Sequence, residues 1–328
     1  MQKDINWKEI IVDYNSSDHA RAYFQIFTSY IPYIIFWYLA YVSLSYSYFL
    51  TLFFAVIAGA FSARIFSIMH DCSHGSFFGS KSLNNITGFI SGTLTLTPFL
   101  CWKKIHATHH ACTGKINRRD IGDFELMTID EYLKASKAQK IKYHIMRNPL
   151  FLLLITPFLL FFILQRLPAN NIAEFTKKEK ESVTWTNLSI VAIVIVMSWL
   201  IGFKAFFIVH FPAALLASTV GVFLFFIQHQ FENTYWASKS DYSYFKAAMK
   251  GSSFFKLPMF FQFFIANAGY HHIHHLSPQI PNYKLKKCHD ENIELHDVST
   301  LTFISAIKTF NLKLWDDKNN KLVSFKNV

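Results

Sequence analysis

His70 and His74 stand four residues apart, His106, His109 and His110 form an HxxHH pattern, and His271, His274 and His275 repeat it. Residues three and four apart on an α-helix share one face, so each pattern aims two or three imidazoles at a common point. One such group alone is an ordinary cap or surface pattern. The chain has 15 histidines, and chance placement at that content rarely gives one HxxHH, let alone two beside an HxxxH. Imidazole suits Zn, Cu, Fe and Ni, so ligand type alone does not select the metal. The eight box histidines exceed the four ligands of a structural zinc and the usual three of a catalytic one. Eight or nine neutral nitrogens suit two metal ions that each keep an open position, and this chemistry points to two irons.

Other residues need separate weighing. His229 is isolated but closes the last long apolar stretch, a place where a helix dipole also favours an imidazole. His272 is out of helical phase with its neighbours and reads as a residue behind the ligands or at the surface. Asp71, Asp120 and Asp123 are candidate acceptors for ligand N–H groups. A solvated loop carboxylate or a local cap is the plain alternative for each. His19, His144, His210, His289 and His296 have no partner at ligand spacing and are assigned no metal.

Apolar helices must position these groups. Hydrophobic residues make up 52% of the chain and charged residues 16%, against roughly 25% charged in a soluble domain. Residues 22–63 contain no Asp, Glu, Lys, Arg or His, and 183–228 contain only Lys204 and His210. Each stretch is long enough for two spans of about 20 residues, and neither has the polar face of a soluble helix. The expected fold is an all-α integral membrane protein with four transmembrane helices in two hairpins. The first pairs 24–45 with 46–66 around Ser47 and leads into the His70 box. The second pairs 185–201 with 205–227 around Gly202-Phe203-Lys204 and leads into Gln228-His229-Gln230. One domain over 1–328 follows, with 67–184 carrying the first two boxes and 228–328 the third.

Two further apolar runs are settled by parity. If the histidines form one site, an even number of crossings must separate successive clusters. Residues 83–102 and 150–164 therefore cannot each be a lone span, and both are expected to be interfacial or re-entrant beneath a helical cap. Residues 150–164 are also short, about 22 Å as a helix, with Pro157 in the middle. With four spans, Lys204 is the only one of 32 Lys and Arg residues on the far side, which puts the boxes in the cytoplasm. Most of the net charge of +11 is then a topology signal, and no nucleic-acid partner is expected. Residues 1–18 lack the apolar centre of a cleaved signal. Cys72, Cys101, Cys112 and Cys288 form no CxxC pair and read as reduced, structural thiols.

The boxes and their surroundings resemble the membrane fatty-acid desaturases and hydroxylases, whose hallmark is HxxxH, HxxHH and HxxHH around two hydrophobic hairpins. The likeness covers most of the chain. It takes in His70-Asp71-Cys72-Ser73-His74-Gly75-Ser76-Phe77-Phe78, the His106 box and Arg118-Arg119-Asp120-Ile121-Gly122-Asp123. It continues through Gln228-His229-Gln230-Phe231-Glu232 and Gly269-Tyr270-His271-His272-Ile273-His274-His275-Leu276-Ser277-Pro278. These stretches look most like the bacterial, cyanobacterial and plant acyl-lipid desaturases. His229 matches the family's isolated ligand, which adds it to the metal set. Two features depart from the animal acyl-CoA enzymes: the first box is one residue shorter, and Phe225 stands where they carry a water-holding Asn. Asn267, one turn before His271, reads as a cap or buried amide.

The resemblance implies a desaturase that uses O2 and two irons to place a cis double bond in the acyl chain of a membrane lipid. A narrow buried tunnel would present one C–C pair, with the aromatic segment 254–264 at the interface beside it. Electrons would come from a separate carrier, ferredoxin or similar, because there is no CxxCH, no four-cysteine cluster and no His-Pro-Gly-Gly segment. Lys284, Lys286 and Lys287 could steer an acidic carrier or face anionic lipid. The expected location is a bacterial inner or plasma membrane. Hydroxylation or ketolation on the same scaffold is the nearest rival. A metal transporter fits less well, since transporters bind cargo near the bilayer midplane and these boxes lie beyond the span ends. An inert metal-stabilised scaffold has little in its favour.

Overall fold

A computed structural model describes residues 6–119, 122–167 and 175–327. After the short α1 (Trp7–Val12), Asp18 accepts a hydrogen bond from the Arg21 N–H and starts α2 (His19–Ser43). α3 (Tyr48–His74) returns alongside it. Gly75 ends α3 with φ 74°, and its N–H turns back to the Asp71 and Cys72 carbonyls. A side chain is disfavoured in that conformation, so the helix stops with the HxxxH box in its last turns. The 27 residues of α3 run about 40 Å, roughly 10 Å more than the hydrocarbon core. That length leaves room for the box, in the last turns, to reach past the apolar layer.

The uncharged run 83–102 resolves into α4 (Lys81–Leu94) and α5 (Phe99–Cys112), separated by a turn in which Leu96 takes φ 57°. α6 (Ile129–Lys134) and α7 (Lys137–Met146) each begin with a capping box, Thr128 with Glu131 and Ser136 with Gln139. Next come a π-helical turn, Phe151–Ile155, then α8 (Thr156–Phe158), and a second π-helical turn, Leu159–Ile163. Pro157 lacks an N–H and crowds the preceding turn, which accounts for the widening at Phe151–Ile155 but not for the second π-helical turn beyond it. This stretch meets α7 at a bend of 63°.

α9 (Lys177–Ile201) and α10 (Phe203–His229) form the second hairpin, joined at Gly202 alone. α9 starts earlier than the apolar run because Thr176 and Glu179 build a capping box ahead of it. α10 crosses α3 closely: a Cβ on Gly59 would lie 2.7 Å from the Ala213 carbonyl oxygen. These four helices are long and apolar enough to span a bilayer, and the chain is a multi-pass membrane protein.

The C-terminal region caps the helix ends with α11 (Tyr244–Lys250), β1 (Phe254–Phe255), α12 (Met259–Phe264), α13 (His271–Leu276) and α14 (Asn282–Glu291). Ala266 and Asn267, with φ 48° and 59°, turn the chain from α12 towards the third box. β2 (Thr300–Leu301) runs parallel to β1, α15 (Phe303–Thr309) follows, and β3 (Leu314–Asp316) pairs antiparallel with β4 (Lys321–Val323). These two ribbons are absent from the sequence expectation. Arg64 of α3 binds the Ser29 hydroxyl at 3.1 Å and the Phe263 carbonyl, and its guanidinium lies 4.0 Å from the Phe263 ring centroid. α12 is thus pinned to α3 while Met259, Phe260 and Phe261 stay exposed.

Candidate metal centre

α3 supplies His70 and His74, α5 supplies His106, His109 and His110, α10 ends in His229, and α13 carries the last box. Their side chains converge into two adjacent groups. His70, His74, His106 and His274 form one, and His109, His229, His271 and His275 the other, with the candidate ligand nitrogens of each group within 4.8 Å of one another. His110 joins the first, its Nε2 3.0 Å from the Nε2 atoms of both His106 and His274. The same ring stacks 4.3 Å from that of His275 and so links the groups. By length and composition the bent segment 137–166 would count as a fifth candidate span if its two helices were one.

The nitrogens suit metal better than each other. Nε2 of His229 lies 3.1 Å from that of His109 and 3.0 Å from that of His271. Two nitrogens each about 2.1 Å from an ion are about 3.0 Å apart at a right angle and about 3.4 Å apart at the tetrahedral angle. The spacing is that of nitrogens able to share one ion. Nε2 of His74 and of His275 is buried without a hydrogen-bond partner, a costly arrangement that a metal would relieve.

Burial, then the neighbouring imidazoles, holds His106, His109, His271, His274 and His275 well below the usual histidine range and brings His110 down to about 3. These rings are consequently neutral, with free lone pairs, at physiological pH. Because the folded-state values are depressed, acid opposes the arrangement: above about pH 6.5 the rings are neutral folded or unfolded and cost nothing, and stability is lost as pH falls below that, for His110 down to about 3.

Backbone and side-chain acceptors aim the rings. Asp71 Oδ1 sits 3.1 Å from His70 Nδ1, and its Oδ2 accepts from the Asn282 N–H at 2.6 Å and side-chain amide at 2.7 Å. His229 Nδ1 bonds the Gly251 carbonyl at 3.0 Å, and His109 is hydrogen-bonded to the Gly122 backbone. Gly122 has φ 72°, and a Cβ there would approach the His109 Cβ to 3.1 Å, so glycine is needed on both counts. Trp102 stacks on His106 at 4.3 Å, and the Phe225 ring lies 4.9 Å from that of His109.

Among the other expected residues, Asp123 accepts from its neighbour, the Phe124 N–H, at 2.7 Å, and Asp120 lies outside the described residues. His272 is fully buried and outside both groups, its Nε2 3.2 Å from Nδ1 of His289. Asn267 donates to the Asn282 carbonyl at 3.0 Å, a structural bond. Lys284 bonds Ser16, Lys286 bonds Asp290, and Lys287 lies 3.8 Å from Glu291, so much of their charge is locally engaged. Sequence reasoning missed Gly122, Gly251, Asn282 and Trp102. Glycine in the loop after the second box was a partial signal for the first; nothing local marked the others.

Comparison with known proteins settles the lineage. The fatty acid desaturase family profile matches residues 46–303, a span that holds every histidine of both groups. The chain belongs to the fatty acid desaturase family. Among similar proteins of the family is a fatty acid desaturase of Bacillus subtilis (strain 168), 41% identical over 304 residues, covering 93% of this chain and 86% of that protein. An sn-1 acyl-lipid omega-3 desaturase (ferredoxin) of Synechocystis is 28% identical over 245 residues, covering 71% and 65%. An endoplasmic reticulum omega-3 fatty acid desaturase of Nicotiana tabacum is 26% identical over 245 residues, covering 70% and 62%. This desaturase therefore spans less than two thirds of the latter two. Its paired histidine groups are those of a protein suited to a di-iron centre.

Proposed function

We propose that the protein is an oxygen-dependent fatty-acyl desaturase that introduces a cis double bond into an acyl chain of a membrane lipid. The observation that carries this reading is the meeting of two four-histidine groups at the ends of membrane-spanning helices. His70, His74, His106, His110 and His274 would hold one iron, and His109, His229, His271 and His275 the other. Bound there, the irons would let O2 and two outside electrons remove one hydrogen from each of two neighbouring methylenes, with two protons taken up and two waters released.

The chain's own residues orient and protect. Asp71 and the Gly251 carbonyl hold His70 and His229 with Nε2 directed inward. Trp102 and Phe225 place apolar surface against the two groups, which restricts water there. Phe225 offers no donor atom of its own, so this centre lacks the extra amide described for the animal enzymes. The electrons would come from a separate carrier such as ferredoxin, a reading supported by the name of the Synechocystis relative. The boxes would face the cytoplasm, as the distribution of Lys and Arg supports.

Membranes containing the protein, a ferredoxin system and an isotopically labelled saturated phospholipid should yield unsaturated acyl chains only in the presence of O2. The purified protein should carry two irons, and His109→Ala should abolish both product and full iron loading. A hydroxylated product without a double bond would transfer the protein to the rival C–H oxidation class.

A further inference from the structure

Glycines in this chain mostly have a visible reason. A Cβ on Gly59 would meet the Ala213 carbonyl oxygen at 2.7 Å, and one on Gly269 the Phe255 carbonyl oxygen at 2.5 Å. Gly221 has no such reason. It lies within α10, its φ is not positive, and a Cβ there would meet only the Phe161 ring, at 4.0 Å. Alanine would fit and would favour the helix. What glycine leaves at this position is room.

That room belongs to a gap lined by Ser62, Phe66, Leu96, Phe161, Ser218 and Gly221, among others. The gap is directly below the histidines. Phe66 is one turn before His70, and its ring lies 5.4 Å from that of Trp102, which stacks on His106. On the opposite wall, Phe225 lies one turn beyond Gly221 and against His109. The open space is about 10 Å³, roughly enough for one water, so a methylene chain could enter only by displacing a wall. Phe161 is the wall best placed to yield, because it stands on a π-helical turn, a rare geometry that recurs at functional sites.

We propose that Gly221 and the facing Phe161 ring form the inner gate of the acyl-chain passage and decide how far the chain advances past the metal centre. This rests on the desaturase reading. The occupant is a saturated polymethylene segment, since Phe66, Leu94, Leu96 and Phe161 make the walls mostly apolar and, of the hydroxyls of Ser62, Thr95 and Ser218, those of Thr95 and Ser218 are committed to the Ser91 and Ala214 carbonyls at 2.8 and 2.9 Å.

The test compares Gly221→Leu, Phe161→Ala and the double variant with the native protein in phospholipid vesicles. Product is read as yield and double-bond position. Iron-free protein is read separately, by photocrosslinking a phospholipid that carries a diazirine in its acyl chain and mapping the labelled peptides. Gly221→Leu should lower yield at least tenfold or move the double bond, and should cut labelling of the Phe161 and Gly221 peptides at least fivefold. Phe161→Ala should restore both in the double variant. Native yield, bond position and labelling in Gly221→Leu would overturn the gate, as would failure of the double variant to recover labelling. If the native protein made no double bond, the desaturase reading would fall, while crosslinking would still decide whether an acyl chain reaches Gly221.

Discussion

The Asp71 carboxylate divides its two oxygens between distant parts of the chain. One faces His70 Nδ1 at 3.1 Å, and the other receives both donors of Asn282. An amide in its place has a single acceptor oxygen and must abandon one of these tasks. Asp71→Asn is therefore expected to weaken metal binding about 10- to 100-fold, measured by competition with a chromophoric chelator. Unchanged affinity would confine Asp71 to packing α14 against α3. The convergence of the box histidines was legible in the sequence, because HxxxH and HxxHH spacing is a statement about helix faces. Their supports were not. Two of them are backbone groups, of Gly251 and Gly122, and every residue has a backbone. Asn282 is 211 positions from the carboxylate it binds.

At the level of elements, the centre depends on α3 and α10 lying close enough for the His70 box and His229 to share a pocket. Gly59 sets that approach, its missing side chain admitting the Ala213 carbonyl. Gly59→Val should force the helices apart, at a cost of about 1–3 kcal/mol, visible as a lower Tm and reduced iron content in the same preparation. A variant with native Tm and iron would show that the crossing has slack. Both hairpins were readable from uncharged length, and the four long apolar helices are those expected. The π-helical turns around Pro157 were not readable, because an apolar run with one proline has the same pattern whether the helix kinks, widens or stops. The β1–β2 pairing also escaped, since two residues per strand leave no period to detect.

Across the whole molecule, the orientation proposed here has one sensitive reporter. The tip between α9 and α10 carries Lys204, and the native cysteines are buried, so an introduced thiol is the one that reacts. A membrane-impermeant maleimide should label Lys204→Cys in intact cells and Lys239→Cys only after the membrane is broken. The reverse pattern would invert the proposed topology. A second consequence comes from the overhang of α3, whose 27 residues outreach a hydrocarbon layer of about 30 Å by roughly 10 Å. The height of the irons above the lipid is then the difference between a fixed rod and a variable slab. Biological bilayers differ in thickness by a few Å, a sizeable part of that difference. A thicker membrane would draw the centre closer to its surface and shorten the climb demanded of a fatty chain, making the enzyme responsive to the physical state of the layer it modifies.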